Sequence, residues 1–91
     1  MQHINTEKAK IAYVILGEII AEQRLKRGKS QRVLADEYYL QKSMLSRLEH
    51  GLNEPKLASI LSIYEALDIK PSELFKELEK RLPKDFSLID K

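Results

Sequence analysis

The sequence has no cysteine and no tryptophan, and it has only three glycines and three prolines. Without cysteine the chain cannot form disulfide bonds, thiolate zinc sites or a cysteine nucleophile. So few glycines and prolines leave little material for the many turns of a β-protein. The two histidines, His3 and His50, are isolated and there is no cysteine, so we expect no metal site. We also expect no cofactor.

Long apolar runs are also absent. The longest, residues 11–16, is too short to span a bilayer and is followed by charge at Glu18. The N-terminus lacks the basic, apolar and small segments that make up a signal peptide. These absences predict a cytoplasmic protein with no membrane partner.

The charges that are present nearly cancel over the whole chain. Sixteen basic and 14 acidic residues give a net charge of +2 over 91 residues, a length that allows one domain. The balance is uneven, because residues 1–30 carry six basic and three acidic residues, whereas residues 31–56 carry four of each. A near-neutral total therefore hides a local basic surface, which predicts modest non-specific affinity for nucleic acid.

Apolar residues recur at helical spacing, and no stretch shows the sustained alternation of a strand. The pattern predicts five helices at about residues 6–27, 31–38, 41–50, 56–67 and 71–82, and hence an all-α fold. Asn5 or Thr6, Ser30 and Lys70 are the expected N-caps of the first, second and fifth helices. In the fourth helix the residues at core spacing are Leu57, Ile60, Leu61 and Tyr64.

Residues 1–82 are expected to form one domain, followed by a tail at residues 83–91. The tail contains Phe86, Leu88 and Ile89, which are too apolar to be simply solvated. We therefore expect the tail to pack either on the domain or on a dimer partner.

The second and third helices, within residues 31–50, are joined by so short a link that they must cross steeply. Ala35 is small enough to lie where the two helices touch. The outward positions of the third helix are then Lys42, Ser43, Ser46 and Arg47. Because this face is polar and free of acid, it can enter a DNA major groove without like-charge repulsion.

Several short motifs occur in one order along the chain. They are Leu16–Gly17 with Ile20–Arg24, then Ser30–Asp36, Ser46–Gly51, Asn53–Glu54–Pro55 and Leu57–Leu67. In this order and spacing they resemble the helix-turn-helix domains of the lambdoid phage repressors and Cro proteins. The resemblance covers about residues 16–78 and implies a five-helix, lambda-repressor-like DNA-binding domain.

The resemblance also implies roles for individual residues. It places Lys42, Ser43, Ser46 and Arg47 where base edges are read, and it places Gln31, Asn53 and Lys56 where phosphates are held. It further implies a largely buried ion pair between Arg24 and Glu49, which would fix the third helix without touching DNA.

Tyr39 departs from the family pattern, which usually has glycine at the turn between the second and third helices. A tyrosine at positive φ is strained. Either the turn adopts another conformation, or the strain is tolerated. A further alternative is that Tyr39 is exposed and contacts backbone or a partner.

The sequence therefore predicts a DNA-binding transcriptional regulator, either a repressor or a restriction–modification controller. One recognition helix offers few base contacts, so we expect a homodimer on a pseudo-palindromic operator with half-sites about 34 Å apart. The expected dimer contacts are the apolar residues of the fifth helix, Leu74, Phe75, Leu78 and Leu82.

One other class of function remains open, and a second is not expected. The same fold serves antitoxins and adaptors that bind a partner protein, such as a toxin or an anti-repressor. Enzyme activity is not expected, because Ser30, Ser43 and Ser46 have no His–Asp arrangement nearby in the sequence.

Overall fold

The computed structural model describes residues 3–90, which fold into five helices. In that range the helices are α1 (Thr6–Lys26), α2 (Gln31–Glu37), α3 (Lys42–Glu49), α4 (Leu57–Leu67) and α5 (Pro71–Arg81). Two short strands, β1 (His3–Ile4) and β2 (Ile89–Asp90), pair at the two ends of the chain. The predicted all-α, five-helix class is confirmed, with helix ends within one residue or two of those expected.

The helix ends are stabilised by side chains and by local backbone bonds. The Asn5 side chain accepts a hydrogen bond from the Lys8 N–H at 3.1 Å, and the Ser30 hydroxyl accepts one from the Val33 N–H at 3.1 Å. Pro71 opens α5, with Lys70 as its N-cap. The Asn5 and Ser30 side chains thereby satisfy amide groups that a helix leaves free in its first turn.

The turn between α2 and α3 keeps a left-handed residue although no glycine is present. Tyr39 has a φ of 56°, and the Leu40 N–H donates to the Ala35 carbonyl at 2.9 Å. This bond closes the C-terminus of α2 in the manner of a Schellman motif. A left-handed conformation costs a non-glycine residue roughly 1–2 kcal/mol. Because Tyr39 adopts it nevertheless, the second of the alternatives for this turn holds and the strain is tolerated.

The core lies where α1 packs against α3 and α5 and where α2 packs against α3. Its buried residues come from all five helices and are Leu16, Ile19, Ile20, Leu34, Leu45, Leu48, Ile60, Ile63, Tyr64, Ala66, Leu67 and Leu74. The expected inward face of α4 was partly wrong. Leu57 is 65% exposed and Leu61 40% exposed, because Ile63 and Leu67 take the inward positions.

Two glycines allow α1 to approach α3 and the loop after it. A Cβ atom on Gly17 would lie 2.3 Å from the Glu49 carbonyl oxygen, and one on Gly51 would lie 2.7 Å from the Val14 Cα. Gly51 also has a φ of 64°. Only a residue without a side chain permits such contacts, so these glycines fix the position of α3 against α1.

The tail returns to the beginning of the chain. His3 pairs with Asp90 and Ile4 with Ile89 in an antiparallel register, and the Asn5 N–H donates to the Leu88 carbonyl at 2.7 Å. Strands of two residues leave no periodic signal, so the sequence pattern did not predict them. Lys91 lies outside the described residues, and the division into a domain and a tail stays a prediction.

One residue expected at the dimer contact is placed elsewhere. Leu74 is only 3% exposed because it packs into the core of its own chain, so its assignment to a dimer interface was wrong. Phe75 on the same helix is 44% exposed, and Leu78 and Leu82 are partly buried. These three residues still have surface that a partner could cover.

Two features are absent from residues 3–90. No helix in this range combines the length and the apolar character needed to cross a membrane. No group of three or more metal-ligating side chains was found there either.

Candidate nucleic-acid interface

The outer face of α3 is polar, as its short amphipathic sequence dictates. Lys42, Ser43 and Arg47 are exposed and Ser46 is partly buried, while Leu45 and Leu48 are buried on the other side of the helix. Within the described range, no acidic side chain lies at ion-pair distance from Lys42 or Arg47. Both cations are therefore available to an anionic ligand.

A buried ion pair holds α3 against α1. Arg24 Nε donates to Glu49 Oε2 at 2.7 Å, and Arg24 Nη2 donates to Glu49 Oε1 at 2.9 Å. Both residues are at least nine-tenths buried. The hydrogen bond to Glu49 raises the pKa of Arg24 further above its ordinary value, so the guanidinium stays charged. Two parallel bonds between planar groups also fix their orientation.

Two more residues complete this cluster. Arg24 Nη1 donates to the Lys29 carbonyl at 2.7 Å, and Gln31 Nε2 donates to Glu49 Oε1 at 2.9 Å. The cluster therefore joins α1, the α1–α2 loop, α2 and α3. The Gln31 amide, which the resemblance assigns to a phosphate, is thus already engaged with Glu49 through one of its two N–H groups.

A groove beside α3 brings together three of the residues that the sequence assigned to DNA. Arg47 lines it from α3, Asn53 from the loop, and Lys56 from the N-cap of α4. Its other lining residues are Gln41, Met44, Leu48, Glu54, Pro55 and Ser59. The groove brings Arg47, which is predicted to read bases, beside two of the three residues predicted to hold phosphates, Asn53 and Lys56, while the third, Gln31, does not line it.

A second, shallow depression includes Lys42 and shares no lining residue with the groove. It is lined by four basic residues, Arg24, Lys29, Arg32 and Lys42, together with Leu25, Gly28, Ser30 and Gln31. Lys29 Nζ lies 2.6 Å from Glu37 Oε2, which raises the pKa of this lysine, and Arg32 lies 4.0 Å from Asp36. Part of the basic charge here is therefore balanced, whereas that of Lys42 is not.

Sequence reasoning did not single out every residue on this surface. Arg32, Gln41, Met44 and Glu54 line the two concavities but carried no prediction. Their contribution depends on how the loops fold back on α3. The only local signal was position, because Arg32 follows Gln31 in the first turn of α2 and Gln41 immediately precedes Lys42.

A helix-turn-helix family model matches residues 20–74, which include all of α2, α3 and α4. The chain belongs to the Cro/C1-type helix-turn-helix family. The predicted resemblance is confirmed. As a member of this family, the chain is a DNA-binding transcriptional regulator.

Solved structures have the same fold. The restriction–modification controller protein C.AhdI from Aeromonas hydrophila is 36% identical, with a TM-score of 0.67 over 72% of this chain and 96% of that one. The clp gene regulator ClgR from C. glutamicum is 24% identical, with a TM-score of 0.70 over 79% and 92% of the two chains. The controller protein C.Esp1396I, as a tetramer with its natural 35 base-pair operator, is 22% identical, with a TM-score of 0.70 over 78% and 93%. A comparison with curated proteins found no match.

Proposed function

We propose that this family member is a restriction–modification controller, or a repressor of similar size, that binds a pseudo-palindromic operator as a homodimer. The observation that carries the proposal is the polar, acid-free outer face of α3, which the buried Arg24–Glu49 pair holds in place. The similarity to C.AhdI, which is itself a controller protein, supports the choice of class.

Lys42, Ser43, Ser46 and Arg47 are proposed to read base edges in the major groove. Arg47 suits guanine, because its guanidinium can donate to both O6 and N7. Asn53 and Lys56 are proposed to hold phosphates beside the groove that they share with Arg47. Gln31 would reach a phosphate with the N–H group that Glu49 leaves free.

The homodimer is proposed to form through the exposed side of α5. Phe75 and Leu78 lie one turn apart on α5, and Leu82 follows at its C-cap, where the backbone turns extended. Two recognition helices would then reach successive major grooves about 34 Å apart. We further propose that the protein is not an enzyme, needs no cofactor, and works in the cytoplasm, where it would meet its operator.

The test begins with selection of bound duplexes from a random DNA pool, followed by affinity measurements on the recovered sequence. Replacing Lys42 and Arg47 together by Ala should lower specific affinity by at least about 100-fold, since each lost base contact is worth about 1–3 kcal/mol. The fold and the dimer should be unchanged, because both side chains are exposed.

The matched control replaces Lys76 and Lys80 by Ala on α5. These lysines are also exposed and without an ion pair among the described residues, so the control removes the same charge from a different surface. Operator affinity in the control should fall only slightly, through long-range electrostatics. Equal losses in the two double variants would contradict the assignment of α3, and a pool with no enriched sequence would favour a protein partner.

A further inference from the structure

Tyr39 stands in the turn between α2 and α3 with its side chain almost wholly in solvent. Its exposed fraction is 97%, and no other described residue makes a hydrogen bond, an ion pair or a ring contact with its side chain. The ring that lies near Lys29 is that of Tyr38, 5.7 Å from Lys29 Nζ. Packing within the chain therefore does not explain a large side chain at position 39.

The backbone of Tyr39 is strained, although its side chain gains no contacts within the described part of the chain. Its φ of 56° is a conformation that glycine adopts without penalty and that a tyrosine adopts only with strain. Residues held in strained backbone conformations cluster at functional sites. The exposure and the strain together point to a role outside the chain.

The location of Tyr39 points to DNA. It comes two residues before Gln41, which lines the groove shared with Arg47, and three before Lys42, which lines the basic depression. Tyr39 itself lines neither concavity, but the turn that carries it leads directly into the N-terminus of α3. Tyrosine hydroxyl groups are among the donors that contact phosphate oxygens in protein–DNA complexes.

We propose that the Tyr39 hydroxyl donates a hydrogen bond to a phosphate oxygen at the edge of each half-site. The inference rests on the proposed DNA-binding surface and adds one backbone contact to it. A phosphate contact positions the protein without reading sequence. Because the hydroxyl is neutral, its loss should weaken binding without changing the salt dependence that Lys and Arg contacts produce.

The experiment compares Tyr39→Phe, Tyr39→Gly and the parent on the selected duplex and on a random-sequence duplex of equal length. Tyr39→Phe keeps the ring and the backbone strain but lacks the hydroxyl, so affinity should fall about 5- to 10-fold on the selected duplex. Ethylation interference should reveal one phosphate per half-site whose signal disappears in this variant. The control, Tyr38→Phe, removes the hydroxyl of the adjacent half-exposed tyrosine and should leave affinity unchanged.

Tyr39→Gly separates strain from binding. It removes the cost of the left-handed conformation, so the melting temperature should rise while operator affinity falls at least as far as in Tyr39→Phe. A variant that both stabilises the fold and weakens binding is hard to reconcile with a merely structural role.

Unchanged affinity in Tyr39→Phe would overturn the proposal even if Tyr39→Gly bound weakly. Unchanged affinity with impaired regulation of a reporter would also overturn it and would place Tyr39 against a protein partner. If the parent protein selects no preferred duplex, the proposed function itself is wrong. If the parent binds its duplex and Tyr39→Phe binds equally well, only the role of Tyr39 is wrong.

Discussion

At the scale of single residues, the Glu49 carboxylate links three helices, α1, α2 and α3. The carboxylate accepts hydrogen bonds from Arg24 on α1 and from Gln31 on α2, while Glu49 stands on α3 itself. Removing one partner leaves a buried charge uncompensated, which is far more costly than losing an exposed pair. The orientation of α3 therefore depends on side chains that need not touch DNA.

A double-mutant cycle on Arg24 and Glu49 tests this dependence. Arg24→Ala and Glu49→Ala should each lower the free energy of unfolding by about 3–5 kcal/mol, with strong coupling between them. Gln31→Ala should cost less, about 1–3 kcal/mol, because Arg24 still satisfies the carboxylate. Urea denaturation measures the free energy of unfolding of the three single variants and of the Arg24→Ala/Glu49→Ala double variant. Additive effects of the Arg24 and Glu49 substitutions would argue against a coupled buried pair.

Tyr64, unlike Glu49, is a buried polar residue whose hydroxyl lacks a hydrogen-bond partner among the described residues. Its side chain is buried in the core. Burial raises the pKa of this phenol, which therefore stays neutral. Tyr64→Phe should stabilise the fold by about 1 kcal/mol, because it removes an unsatisfied polar atom and keeps the ring. A loss of stability in thermal unfolding would instead show that the hydroxyl is hydrogen-bonded in solution.

At the scale of helices, the α1–α3 contact depends on the absence of a side chain at Gly17. In an ordinary helix interior, Gly→Ala stabilises by about 1 kcal/mol. Here the new methyl group would meet the carbonyl oxygens of Leu48 and Glu49, at 2.5 and 2.3 Å. The two helices must then separate, which should move the recognition helix.

Gly17→Ala should therefore destabilise the fold by about 1–3 kcal/mol and also weaken operator binding. Gly28→Ala is the comparison, since no atom lies within 4 Å of its added Cβ and only its φ of 65° opposes the change. That variant should lose about 1 kcal/mol through the backbone term. Thermal unfolding distinguishes the two cases, and a more stable Gly17→Ala protein would refute the close contact.

At the scale of the whole molecule, the proposed dimer face on α5 can be tested by charge. Phe75→Glu places a carboxylate where an apolar contact is proposed, so sedimentation at micromolar concentration should show monomer in place of dimer. Ile11→Glu on α1 is the matched control, because Ile11 is 43% exposed and Phe75 44%. The control should remain dimeric.

Operator binding should fall together with dimerisation, since a single half-site offers few contacts. A parent protein that sediments as a monomer with and without DNA would refute the dimer. A dimer that survives Phe75→Glu would place the interface elsewhere, and the exposed Leu57 and Leu61 on α4 would then be the next residues to test.

The sequence determined the helices and their order, because helical periodicity, capping residues and glycine stops are local properties of the chain. It also identified the family, since the motifs that carry the resemblance keep their spacing. Tertiary structure decided which residues on a helix face inward. Leu57 and Leu61 have the same periodic spacing as buried residues, yet the neighbouring helices cover Ile63 and Leu67 instead.

The same distinction applies to Leu74, Gln31 and Tyr39. An apolar residue at helical spacing serves a core or a partner equally well, and only packing assigned Leu74 to the core. Spacing placed Gln31 at the start of α2, but the fold brought its amide to Glu49. The sequence showed that Tyr39 replaces a glycine, and the folded turn showed that it keeps the glycine's conformation, because the bond from Leu40 to Ala35 still closes α2.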